Sequence, residues 1–271
     1  MPVVSALNQK GGVGKTSTCH HLSGTLDQMG LKVLLVDADP QSSLGQGFWG
    51  PVAAKGLDPS VTIAAIFAGE RPYPEQVIHP TGVGRIDLIP GSRRAASYNV
   101  PDPHLADPEL QGCLAEFLAD VKGGYDLVLI DCPPNLHMAS WAALAASDHL
   151  VVPLAPEDYA SQGLSDVTDS LAMVRAHANP DVGLLGYLLT MVVPRRTIHQ
   201  IYEDTLRGLY GSKVFEARVP EAVDYVEAIA RRLPIATYKP KGAPAKAIRA
   251  VADELLARIA AADAIPATEA A

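Results

Sequence analysis

The run Lys10-Gly-Gly-Val-Gly-Lys-Thr-Ser17 places two lysines, three glycines and two hydroxyls in eight residues, directly after an apolar run and directly before a helical pattern. A loop of this kind turns successive backbone N–H groups, and the positive end of the following helix, toward an anion. Gly11, Gly12, Val13, Gly14 and Ser17 form the cradle, and the glycines let the backbone approach closely. In that setting Lys15 reaches the outer phosphates of a polyphosphate, and the Thr16 hydroxyl is placed to ligate Mg²⁺. The bland alternative is a glycine-rich turn that only packs tightly.

Two further stretches bring carboxylates to strand ends. Leu34–Ser43 (LLVDADPQSS) carries Asp37 and Asp39, and Leu127–Leu136 (LVLIDCPPNL) is an apolar run that closes on Asp131. A carboxylate there can hold Mg²⁺ or orient water, provided nearby cations keep it ionised. A pair of aspartates after a strand can also do no more than cap the next turn. Cys132 has no histidine in a matching motif and reads as a small buried residue, while His20, His21 and His149 lack ligand spacing and read as structural.

These loops need a scaffold that gathers strand ends. The runs from Val3, Lys32, Ile86, Tyr125, His149 and Leu184 are short, rich in β-branched residues and bounded by turn formers, as buried strands are. Helical spacing separates them. It shows in Cys19, Leu22, Leu26 and Met29 with Gly30 as a stop, and again in Leu164, Val167, Leu171 and Val174. Asp107 and Pro108 announce another helix with Leu110, Leu114, Phe117, Leu118 and Val121 on one face. Such alternation predicts an α/β fold, a doubly wound, mostly parallel sheet with helices on both faces and ligand sites off the carboxyl ends of its strands. Residues 47–60 and 91–108, rich in glycine and proline, are expected as loops on that face.

The 271 residues are 48% hydrophobic and 19% charged, an ordinary globular balance that predicts one domain over 1–260 and a frayed tail over 261–271. Neither a leader nor a membrane-spanning run is present in this sequence, so a cytoplasmic protein is expected. Three scattered cysteines predict reduced thiols rather than a disulfide framework. A net charge of -8 disfavours tight nucleic-acid binding overall, but residues 231–249 hold Arg231, Arg232, Lys239, Lys241, Lys246 and Arg249 with no acid between them.

Gln9 stands where the usual phosphate-binding loop has its first glycine, and Lys10 opens the motif. That variant, the deviant Walker A P-loop, resembles the ParA, MinD and nitrogenase iron protein superfamily. The stretch Val36–Gln41 resembles the ParA signature V-D-x-D-P-Q, Asp131 matches the Walker B acid, and Cys132-Pro133-Pro134 resembles the γ-phosphate-sensing switch. Residues 153–167 continue the likeness with Glu157 and Gly163 in register, so it spans nearly the whole chain and is closest to the small, Soj-like ParA proteins.

The resemblance implies a Mg²⁺-dependent ATP hydrolase of weak intrinsic activity. Lys10 would act across a homodimer formed on ATP, Lys15 would bind phosphate, and Asp39 would orient the attacking water and join Thr16 and Asp131 around Mg²⁺. Asp37 would support the metal and the first loop, and Pro220 would wall the adenine pocket. The expected partners are non-specific nucleoid DNA, which would make the protein nucleoid-associated, and a ParB-like adaptor that stimulates hydrolysis, with chromosome or plasmid segregation as the outcome. Arg195 matches one basic DNA-binding position of the family, whereas Glu221 and Asp224 replace two expected cations and leave the patch at Arg231–Arg249 to compensate, or to be only a solvated basic face. With the loop so close to Met1, no amino-terminal operator-binding domain is expected.

Other readings of the same switch remain open. A positioner of protein cargo would use the same residues. A MinD-like membrane switch would need a bulky, basic amphipathic end, whereas residues 261–271 (AADAIPATEAA) hold one isoleucine and two acids, so no membrane partner is expected.

Overall fold

The computed structural model describes residues 1–156 and 160–264, with the backbone alone for 160–164. Along the chain come β1 (Val3–Ala6), α1 (Lys15–Gln28), β2 (Val33–Asp37), α2 (Ser43–Trp49), α3 (Pro51–Lys55), α4 (Ile63–Phe67), α5 (Pro74–Val77), β3 (His79–Pro80), β4 (Ile86–Ile89) and α6 (Pro108–Asp120). They are followed by β5 (Leu127–Asp131), α7 (Met138–Ala145), β6 (His149–Leu154), α8 (Ala160–His177), β7 (Gly183–Leu189), α9 (Thr197–Tyr210), α10 (Val223–Ala230), α11 (Ile235–Tyr238) and α12 (Ala243–Asp263).

The strands form one sheet in the order β3-β4-β2-β5-β1-β6-β7, parallel except for the two-residue edge strand β3. Because side chains alternate along a strand, each strand feeds two cores. On β2, Leu34 and Val36 face the core shared with α4, α6, α7 and α8, whereas Val33 and Leu35 face the one built with α1, α2 and α12. Val128 and Ile130 split from Leu127 and Leu129 in the same way on β5. Continuous apolar runs are therefore what a sheet covered on both faces requires.

Register then sets the site. Ala6 pairs with Asp131 and Asp37 pairs with Asp131, so the loop leaving β1 and the two aspartates end in one row at the carboxyl edge. The expected caps also form: the Asp107 carboxylate accepts the Glu109 N–H with Pro108 in the first turn of α6, and Gly30 follows α1 at φ 95°.

Residues 47–60 are not the expected open loop. The end of α2, all of α3 and a 3-10 turn at Pro59–Val61 occupy them. Gly47 lies against His20, where an added Cβ would be 3.1 Å from Nδ1, and Pro51 starts α3 rather than breaking a helix. Residues 91–108 are mainly irregular, with 3-10 turns at Arg93–Tyr98 and Pro103–Leu105. At the other end α12 continues to Asp263, so the first three residues of the expected frayed tail are helical; Glu157 and residues 265–271 fall outside the described residues.

Candidate functional site

The loop after β1 is tied down at three points before it reaches α1. Asn8, 2% exposed, donates from Nδ2 to the Pro153 carbonyl at 2.8 Å and accepts the Lys10 N–H at 2.9 Å. Thr190, at the end of β7, donates its hydroxyl to the Val13 carbonyl at 2.8 Å. Gly14 precedes α1 at φ 80°, a left-handed conformation that costs glycine little, and so aims the first N–H groups of α1 along the loop. Neither Asn8 nor Thr190 was singled out from the sequence. Each is a polar residue at the carboxyl end of an apolar run, which was the signal to follow.

Lys15 is 7% exposed, and its ammonium donates to the carbonyls of Asn8 at 2.9 Å and Lys10 at 3.1 Å. Burial lowers its pKa, while the charge of Asp131 acts in the opposite direction. The carboxylate of Asp131 is fully buried, and neither oxygen completes a hydrogen bond among the described residues. Burial raises its pKa, and the Thr16 hydroxyl and Lys15 ammonium favour its ionised form. A buried carboxylate with unspent lone pairs beside a hydroxyl and an ammonium is a group awaiting a cation.

That donor set suits Mg²⁺, which takes hard oxygen ligands and relies on one or two protein groups plus phosphate and water. Thr16 and Asp131 carry two such oxygens close together. Among the described residues no cluster of three or more His, Cys, Asp or Glu could hold a metal.

Asp37 has a further role that the sequence did not show. Its carboxylate is fully buried, and Oδ2 accepts the N–H groups of Leu44 at 3.0 Å and Gly45 at 3.2 Å, which anchors the start of α2, while Oδ1 finds no partner among the described residues. Burial first, then the neighbouring Asp131 charge, raises its pKa. Asp39 is partly exposed, accepts the Gln41 N–H at 2.9 Å and acts electrostatically on both Lys15 and Asp131. Gly91 closes this corner: an added Cβ would be 2.6 Å from the Asp39 carbonyl oxygen and 3.0 Å from the Asp37 carboxyl carbon. Cys132 is 1% exposed, and burial pushes its thiol up, which fits a packing role. His20 and His21 are buried as well, against Phe48 and Tyr225.

Pro220 forms an isolated bridge with Val192, two residues past Thr190, whose hydroxyl bonds to Val13 of the loop. The basic residues are not one patch. Arg232, at φ 64°, donates to the carbonyls of Gln46 at 3.0 Å and Ile229 at 3.3 Å and holds α2 to α10. Lys239 pairs with Asp224 at 2.5 Å and Glu227 at 2.8 Å, which raises its pKa, and Arg249 pairs with Asp253 at 3.1 Å. Acids absent from the segment between Arg231 and Arg249 are thus brought to it by the fold. Arg231 stacks on Tyr238 at 5.3 Å, whereas Lys241, Lys246 and Arg195 are exposed and form no ion pair among the described residues.

Comparison with known proteins agrees with this geometry. Residues 1–184 match the family model described as an AAA domain. The chain is 39% identical to the chromosome-partitioning ATPase Soj of Thermus thermophilus over 94% of this chain and 96% of that protein. Among solved structures it is similar to cobyrinic acid a,c-diamide synthase of Mycobacterium smegmatis with bound ADP and magnesium, at TM-score 0.80 and 27% identity over 96% of each chain. The fold is shared with Cyanothece McdA(D38A) in complex with ATP, at TM-score 0.81 and 20% identity, covering 95% of this chain and 96% of that one. Among the described residues no helix is long and apolar enough to cross a membrane.

Proposed function

The chain belongs to the ParA/Soj family of P-loop ATPases and hydrolyses ATP with Mg²⁺, and from that premise we propose that it is a dimerising switch that segregates DNA. One observation carries the nucleotide chemistry: the buried Asp131 carboxylate beside Lys15 and Thr16. Mg²⁺ held there supplies charge neutralisation on the phosphates. Lys15 exchanges its two carbonyl acceptors for phosphate oxygens, and the N–H groups at the start of α1 bind the rest of the chain of phosphates. Asp39, at the open edge of the row, orients the attacking water.

Lys10 sits at the mouth of the loop, partly exposed, with its backbone tethered to Asn8. Donated to a partner's nucleotide, it links triphosphate binding to pairing and stabilises charge on the transferring group. Pairing doubles the number of phosphate contacts offered to DNA by Arg195, Arg231, Lys241 and Lys246, and a ParB-like adaptor stimulates turnover and release. Sedimentation of the Lys10→Ala protein with ATP and with ADP tests this: the parent pairs only with ATP, and the variant stays monomeric. A Lys10→Ala protein that pairs and turns over ATP like the parent removes the proposal.

A second reading, the positioning of a protein cargo, draws support from the neutralised cations. With Lys239 and Arg249 held by acids, the surface left for nucleic acid is smaller than the sequence implied. DNA binding titrated with salt, with ATP, ADP or no nucleotide, separates the two. Indifference to DNA in all three selects the protein cargo.

A further inference from the structure

Thr190 follows the last residue of β7, at the carboxyl edge of the sheet, and is 1% exposed. Its N–H donates to the Leu154 carbonyl at 2.8 Å, so the residue is fixed by the ladder between β6 and β7. Its hydroxyl donates to the Val13 carbonyl at 2.8 Å. A strand end held by the sheet thus grips a loop that glycine leaves free to move.

The grip fixes a direction as well as a position. A trans peptide points its C=O and its N–H in opposite directions. With the Val13 carbonyl turned to Thr190, the Gly14 N–H points away from β7, and it meets no acceptor among the described residues. Gly14 is half-buried and stands at φ 80°, ψ 18°. Turning the Val13–Gly14 peptide over would carry Gly14 to a φ of roughly −100°, which glycine adopts as readily as a positive value. The dihedrals of Gly14 therefore allow both orientations, and the turned one places a carbonyl oxygen where the N–H now stands.

We infer that Thr190 is a positioning residue for ATP, resting on the reading of residues 10–17 as a phosphate cradle: its hydroxyl holds the Val13–Gly14 peptide with the N–H toward the phosphates. A carbonyl in that place repels an anion, and loss of the N–H removes a charge-assisted hydrogen bond. Val13 is 2% exposed, so without the hydroxyl its carbonyl is left buried and unpaired, and the turned peptide gains. Two residues on, the Val192 N–H donates to the Val219 carbonyl at 3.1 Å and the Val192 carbonyl accepts the Glu221 N–H at 3.0 Å, which joins Thr190 to the segment of Pro220 as well. An effect on the phosphates has therefore to be told apart from one on the base.

The full chain is titrated by calorimetry with Mg²⁺ and ATP, and with Mg²⁺ and tripolyphosphate, which keeps the phosphates and lacks the base. Thr190→Val keeps the size of the side chain and removes the hydroxyl, and it should weaken both ligands about tenfold or more, the worth of one hydrogen bond to a charged group. Thr190→Ser restores the hydroxyl and should recover most of the loss. Turnover of Thr190→Val at saturating ATP should change much less than its KM, because bound phosphates restore the orientation that the hydroxyl held. The parent gives a second readout by NMR with isotopically labelled glycine: its Gly14 amide proton should move downfield as Mg²⁺ and tripolyphosphate are added. Four results would each overturn the role of Thr190 and leave the ATPase reading in place: affinities of Thr190→Val within about twofold of the parent, a loss with ATP but not with tripolyphosphate, an equal loss in Thr190→Ser, or a Gly14 amide that does not move. A parent that binds neither ligand overturns both.

Discussion

The phosphate loop and the segment from α10 to α12 are both rich in charge, and they handle it in opposite ways. At the loop, Lys15 and Asp131 are buried, and the carboxylate oxygens of Asp131 are left without donors. In the carboxyl-terminal segment the cations are mostly exposed, yet Lys239 and Arg249 have carboxylates against them and Arg232 is spent on backbone carbonyls. Burial without compensation is costly and persists where a ligand supplies what is missing. Compensation at the surface costs little and needs no ligand to explain it.

The largest effect that sharpens this contrast is expected at Lys15. Lys15→Ala should reduce ATP turnover by roughly a thousandfold or more, read as phosphate release, because the charge that meets the phosphates is lost. A variant that keeps turnover within tenfold would mean that the buried ammonium is only a packing group.

Next comes Asp131→Asn. Turnover at saturating Mg²⁺ should fall by about a hundredfold, while the melting temperature measured without nucleotide or Mg²⁺ should rise, since a buried charge lacking donors destabilises the fold by about 1–3 kcal/mol. A fall in both quantities would place Asp131 among structural carboxylates such as Asp37, whose loss removes an anchor for α2.

A smaller, pH-dependent effect belongs to the buried histidines behind the loop. Burial holds His20 down to about 4 and His21 down to about 3, against an ordinary value of 6.5. The unfolded chain takes up protons below pH 6.5 that the folded chain refuses, so the contribution is fully present above that pH and is lost as the pH falls toward 4. Each histidine adds a slope of up to about 1.4 kcal/mol per pH unit. Urea unfolding of the parent and His20→Gln between pH 6.5 and 4.5 should show the variant losing less stability by about that slope. Parallel profiles would mean that His20 protonates in place.

The smallest effect concerns DNA. Lys241→Glu/Lys246→Glu should lower the salt dependence of DNA binding by about one for each cation removed, whereas Lys239→Glu should leave the slope near that of the parent. Lys239→Glu should instead lower the melting temperature slightly, by setting three acids together with Asp224 and Glu227. An equal loss of slope from Lys239→Glu would show that its ion pairs open on DNA and that the two regions differ less than their geometry suggests.

Much of the fold could be read along the chain because its signals are local. Each expected strand is present to within a few residues, and Asp107 with Pro108 opens α6, since period, capping and turn chemistry act over a few neighbours. The helices over residues 43–55 could not be read this way. Gly47 and Gly50 look like loop residues until His20 and Arg232 pack against them.

The glycine loop between β1 and α1, the placement of Asp131 at the end of its strand, and the parallel sheet behind them were set by the sequence alone, because a strand, a glycine loop and a helix in succession can be arranged in few ways. Only the tertiary structure decided that Asp37 anchors α2, that Asn8 and Thr190 hold the loop, and that acids from α10 and α12 neutralise the basic segment. Those outcomes depend on which groups meet across the fold. Electrostatic and hydrogen-bond energies follow distance in space, and spacing along the chain says little about it.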